Sequence, residues 1–155
     1  MSQASESDRI ERSVVINASR ERVWRALSDP QEFGTWFGVN LTGQTFIPGR
    51  ATRGPITYKG YEHLTWEVTI ERIEPPNLLS FRWHPYAIDP KMDYSKEDPT
   101  LVTFTLKDAP GNATMLTVVE SGFDKVPPSR RLEAFRMNSS GWSAQMENVV
   151  RHVAS

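Results

Sequence analysis

The residue best placed to do chemistry is Glu120. It closes the run Ala113 to Glu120 in the same parity as Leu116 and Val118, so on a strand it is expected to face an interior. A carboxylate there would be partly desolvated, would have a raised pKa and would need hydrogen-bond donors. The alternative is a frayed strand end, with Glu120 in water or paired with an arginine. The chain has no cysteine, and its three histidines, His63, His84 and His152, lack a ligand spacing such as H-x-x-x-H. No metal site is expected from them, and no cofactor. His63 and His84 could meet across adjacent strands as a pocket-rim pair. The acidic residues Asp89, Asp93, Glu97 and Asp98 lack the calcium-loop pattern and read as a solvated lid. Arg130 and Arg131 fall in a first helical turn, where positive charge is slightly unfavourable. They read as solvated, with pairing to the acidic loop or to an anionic ligand as alternatives. There is no Ser-His-Asp order, Gly-rich phosphate loop or basic-aromatic stripe. Any catalysis would rest on a lone acid or base, Glu120 or a pocket histidine, acting on a held ligand.

These groups need a scaffold, and its clearest part is the stretch Ser129 to Val153. Large apolar residues fall at Leu132, Phe135, Trp142, Met146, Val149, Val150 and Val153, mostly three, four or seven apart. That spacing predicts a long amphipathic helix of about 37 Å. Two residues interrupt its apolar stripe. Ser139 stands where a large side chain is expected, and Gly141 costs about 1 kcal/mol against alanine in a helix interior. Either Gly141 admits another backbone and Ser139 bonds back to its own carbonyl, or the first half of the helix roofs a cavity.

Upstream, Ile10 to Asn17 reads as a strand with Ile10, Val14 and Ile16 inward and Arg12 as the exception. Ser19 caps a short helix bearing Val23, Trp24 and Leu27. Asp29-Pro30, with Glu32 completing a capping box, opens a second bearing Phe33, Trp36 and Phe37. Strands are expected at 40–47, 50–58, 61–74, 78–84, 100–107 and 113–120. The alternation Leu64, Trp66, Val68, Ile70 marks a half-buried antiparallel strand. An excursion over 84–99 is long for a connection, and such loops are often functional. The fold class is therefore α+β, an antiparallel sheet of about seven strands with a long C-terminal helix and two short helices after the first strand. Residues 1–9 read as a disordered tail and 10–155 as a single domain. A net charge of −1 argues against a nucleic-acid partner or an anionic membrane. The polar start is neither a signal peptide nor a span, and no apolar run approaches about 18 residues, so a cytoplasmic location is the default.

Specific residues add a resemblance. IERSVVINASRERVWRALSDPQEFGTWF, with Val23-Trp24, Asp29-Pro30 and Trp36, resembles the opening of the activator-of-Hsp90-ATPase-homologue family. VTIERIEPPNLLSFRW and VVESGF followed by GWSAQMENVVRHV are similar to its middle and end. The family belongs to the START-like (SRPBCC, birch-pollen-allergen-like) superfamily. The resemblance implies a helix-grip fold, a curved sheet wrapped around the long helix with a cavity between them. Superfamily members include lipid and hormone binders, polyketide cyclases and aromatases, and co-chaperone domains. Eukaryotic Hsp90 activators carry a separate N-terminal domain, so the resemblance does not carry ATPase activation across.

The expected function is binding of a small hydrophobic or aromatic ligand. The expected cavity lining is Trp66, Phe81, Trp83, Phe104, Glu120, Phe135, Ser139 and Trp142, roofed by the first half of the long helix and gated by the 85–99 loop. Trp66, Trp83 and Trp142 also read as plain core. A cyclase- or aromatase-like enzyme and a chaperone-linked interaction module are the alternatives. A homodimer and a chaperone partner stay open.

Overall fold

Alternating burial organises the chain. The computed structural model describes residues 6–89 and 91–154. Strand β1 (Arg9–Ile16) is followed by α1 (Arg20–Ser28), α2 (Pro30–Phe37) and five strands. These are β2 (Ala51–Pro55), β3 (Thr65–Glu74), β4 (Leu78–Trp83), β5 (Thr100–Ala109) and β6 (Ala113–Ser121). Helix α3 (Pro128–Ala154) closes the chain. All strand pairs are antiparallel, in the order β1-β6-β5-β4-β3-β2. Trp66, Val68 and Ile70 of β3, Val102, Phe104 and Leu106 of β5, and Leu116, Val118 and Glu120 of β6 are buried on one face. The register places Ile10, Glu120, Val102, Phe81 and Ile70 side by side across the sheet. A shift between Ile70 and Arg72 interrupts the β3–β4 ladder, and such irregularities add bend and twist. The result is the α+β helix-grip arrangement, a curved sheet and one long helix.

The sheet has six strands because the strand expected at 40–47 does not form. The Asn40 carboxamide accepts from Thr42 N and Thr42 Oγ1, turning the chain at once. Only a Val39–Ile56 bridge remains, while Leu41 and Phe46 are buried as plugs. Asn40 N still donates to Pro55 O, and Gly54 permits it: a Cβ at 54 would lie 2.0 Å from Asn40 O. The expected tail also differs. Residues 1–5 lie outside the described residues, but Glu6–Asp8 forms a 3-10 turn. The Asp8 carboxylate accepts from Asp124 N at 3.0 Å, tying this turn to the segment before α3.

Asp29 caps α2 as expected, accepting from Gln31 N and Glu32 N. The second half of the capping box is absent. Asp29 N donates to Arg25 O, and the Glu32 carboxylate turns to Arg22, Arg25 and His152, joining all three helices. Burial alone would raise the Glu32 pKa. Hydrogen bonds from His152 and Arg22, with the charges of Arg22 and Arg25, overcome that and hold it below the ordinary carboxylate value. A depressed folded-state pKa means stability that is present above the unfolded-state pKa and lost as pH falls through the folded one. Glu32→Gln should therefore lower the urea midpoint at about pH 7, with the gap to wild type closing at about pH 3. An equal gap at both pH values would show that the charge of Glu32 contributes nothing.

Helix α3 keeps most of its expected apolar face, with one exception at its start. Its buried row is Ala134, Trp142, Gln145, Met146, Val149 and Val153, while Leu132 is 60% exposed. Gly141 is not a close-packing glycine, because a Cβ there meets nothing within 4 Å. Gly141→Ala should raise the unfolding free energy by about 1 kcal/mol, read from a denaturant midpoint. A loss of stability would mean that the helix needs flexibility at that point.

Candidate functional site

Two contacts between α3 and the sheet determine what the interior can hold. The first is Glu120, fully buried at the end of β6. Its Oε1 accepts from Trp142 Nε1 and Asn138 Nδ2, each at 2.8 Å. Its Oε2 accepts from Trp83 Nε1 at 2.7 Å and Thr100 Oγ1 at 2.5 Å. The carboxylate thus joins β4, β5, β6 and α3. It faces the interior, as its parity predicts, and two donors occupy each oxygen. An ionised carboxylate has roughly four acceptor positions, so none is left over for a ligand.

The second is the contact between Ser139 and Arg12. Arg12 donates to Ser139 Oγ at 2.7 Å, to Ser139 O at 3.2 Å and to Ser143 Oγ at 3.0 Å. The arginine that breaks the β1 pattern therefore fills the gap left by the serine on α3. The first half of α3 does not stand off from the sheet as a roof. Phe135 packs edge-on against buried Phe123 at 5.2 Å between ring centroids, and Ala134 is fully buried.

The rest of the interior is aromatic. Phe33 meets Phe37, Trp66, Phe81 and Phe104, and Trp142 meets Phe37, Trp83 and Phe104. Phe81 and Phe104 are wholly enclosed. Trp66, Trp83 and Phe37 instead form part of the wall of a cleft of about 490 Å³. Leu64 and Ile56 flank it on one side, and the 84–99 segment closes the other with His84, Tyr86, Ile88, Met92 and Tyr94. Across Phe37 and Trp83 lies a hollow of about 160 Å³, bounded by Asn138, Gly141, Trp142 and Gln145. Of the eight residues expected to line a cavity, the structure brings Trp66 and Trp83 to the cleft and Trp83 and Trp142 to the hollow. Phe81, Phe104 and Glu120 are core, and Phe135 and Ser139 lie elsewhere on α3.

Trp66 has a further property. Its Nε1 is buried and has no hydrogen-bond partner among the described residues. An unpaired buried N–H costs about 1–3 kcal/mol.

Of the acidic residues read as a solvated lid, Asp89, Asp93 and Asp98 are exposed as expected, but Glu97 is not. Arg130 and Glu97 form an ion pair at 2.5 Å, with side chains 12% and 8% exposed. Arg130 also donates to Pro85 O at 2.6 Å and stacks over Tyr94 at 4.7 Å. Tyr86 sits at φ 51°, an unusual conformation for a bulky side chain. Burial and the neighbouring Glu133 raise its phenol pKa. The Ser95 hydroxyl and amide, with a smaller effect from His84, hold Asp93 below its ordinary value. Sequence spacing could not locate this set, because Arg130 lies 33 positions from Glu97. His84 lines the cleft, whereas His63 is exposed in the turn before β3 and His152 pairs with Glu32. Among the described residues no cluster of three His, Asp or Glu could hold a metal, and no helix is long and apolar enough to cross a membrane.

Comparisons place this geometry among known proteins. Among solved structures, protein MLL2253 from Mesorhizobium loti is 26% identical, with a TM-score of 0.65 over 92% of this chain and 97% of that one. DynU16, from the dynemicin biosynthetic locus, is 24% identical, with a TM-score of 0.70 over 96% of this chain. This chain spans 48% of that DynU16 chain. The solution structure of the Aha1 dimer from Colwellia psychrerythraea has a TM-score of 0.62 at 15% identity, over 89% of this chain and 90% of that one. No curated protein sequence matches. The profile of the family described as activator of Hsp90 ATPase homolog 1-like protein matches residues 17–154. With that match over most of its length, on a helix-grip frame, the chain belongs to the activator of Hsp90 ATPase homolog 1-like family.

Proposed function

We propose that the protein binds a small apolar or aromatic molecule in the cleft between β3, β4 and the 84–99 segment. The observation that carries this reading is the cleft itself, about 490 Å³ with Phe37, Trp66 and Trp83 in its wall. Its size falls within the range of small-molecule sites, and apolar walls with a few polar groups are their usual construction. The site thus sits at the sheet rim, in place of the space under the first half of α3.

An acid–base enzyme of the cyclase kind is the second reading. Fold-level likeness to a protein of a biosynthetic locus favours it, by analogy alone. Glu120 is a poor candidate for its acid or base, since four donors already occupy it, and His84 is the better one.

The binding reading is tested with a neutral environment-sensitive dye, N-phenyl-1-naphthylamine. Ala87→Trp fills the cleft from the loop and should weaken dye uptake about tenfold or more, equivalent to about 1.4 kcal/mol. Ser139→Trp, on the Arg12 side of α3, should leave uptake unchanged. The reverse pattern would move the site beneath α3. No uptake by wild type would put the chaperone-linked interaction reading first.

A further inference from the structure

His84 is the cleft residue whose hydrogen-bonding role the structure fixes. Its Nε2 lies 3.0 Å from the backbone carbonyl of Glu97. A carbonyl only accepts, so Nε2 carries the hydrogen, and a neutral imidazole then presents Nδ1 as an acceptor. No described residue donates to Nδ1. The segment that carries the accepting carbonyl is itself held in place. Glu97 is anchored by its buried ion pair with Arg130, and Arg130 also holds the carbonyl of Pro85, the residue after His84.

The other cleft groups narrow the occupant. Among the described residues no lysine or arginine lines the cleft, and its carboxylates are Glu67 and Asp93. Arg53 pairs with Glu67, but no lining cation offsets the Asp93 carboxylate, which disfavours an anionic ligand. Asp93 Oδ1 is already taken by Ser95 N and Oγ. The aromatic walls favour a flat ring, stacked or edge-on. An uncharged ring that donates a hydrogen bond satisfies all of these conditions.

We infer that the cleft selects hydroxylated aromatic compounds, the ring lying against Phe37, Trp66 and Trp83 and the hydroxyl donating to His84 Nδ1. This rests on the cleft being the ligand site. His84 acts as a specificity residue, and Arg130 positions it through Glu97.

The test compares three naphthalenes by isothermal titration calorimetry at about pH 8, where free imidazole is neutral. 2-Naphthol donates, 2-methoxynaphthalene has a similar ring without the donor, and 2-naphthoate carries negative charge. Wild type should bind 2-naphthol about tenfold or more tightly than the methoxy compound, and 2-naphthoate weakest. His84→Phe should bring naphthol down to the methoxy affinity while leaving the methoxy affinity unchanged. His84→Gln, which keeps an acceptor, should restore part of the preference. Equal affinities for naphthol and the methoxy compound in wild type would overturn the role of His84 and leave the ligand site standing. No binding of any of the three would overturn both.

Discussion

Glu120→Ala is expected to lower the unfolding free energy by about 4–6 kcal/mol, and Glu120→Gln by about 2–3 kcal/mol. In the alanine variant Trp83 Nε1, Trp142 Nε1 and Asn138 Nδ2 lose their acceptor around a fully buried position. Each orphaned donor costs about 1–3 kcal/mol, and the emptied space adds to that. Glutamine keeps the shape and one carbonyl oxygen. Its amide nitrogen would best face Trp83 and Thr100, because the threonine hydroxyl can rotate to accept. Trp83 alone is then unpaired. Urea unfolding followed by circular dichroism gives both values. An alanine variant within about 1 kcal/mol of wild type would mean that this network does not hold the helix to the sheet.

Trp142→Ala is expected to cost about 3–5 kcal/mol, the usual loss for deleting a buried tryptophan. The ring is 2% exposed and lies 5.7–6.0 Å from the rings of Phe104, Trp83 and Phe37, so its removal opens the core on three sides. It also removes one donor from Glu120. Trp142→Phe should cost less, because most of the ring volume stays. Combining it with Glu120→Gln should cost less than the sum of the two, by about 1 kcal/mol, since both weaken one network. Strict additivity would show that the indole acts through packing alone.

Periodicity made much of the frame legible in advance. Leu64, Trp66, Val68 and Ile70 alternate in the sequence, and all but Leu64 fall within β3 with their side chains buried. Asp29-Pro30 marks the start of α2, and Glu120 keeps the parity that turns it inward. The exceptions came from short-range competition. Asn40 and Thr42 form a side-chain turn before a ladder can extend, so one expected strand is missing. Leu132 continues the apolar spacing of α3 but is 60% exposed.

The sequence by itself determined the order of elements, the inward faces of the strands and the family, because these depend on local spacing and short motifs. The tertiary structure alone decided where open space remains. Arg12 fills the gap at Ser139, four donors saturate Glu120, and Arg130 closes the 84–99 segment onto α3. Each of these contacts joins residues at least 18 positions apart, 127 in the case of Arg12 and Ser139. A one-dimensional pattern shows which face a side chain takes, but not which distant side chain occupies the volume opposite. The cleft is what those long-range contacts leave unfilled.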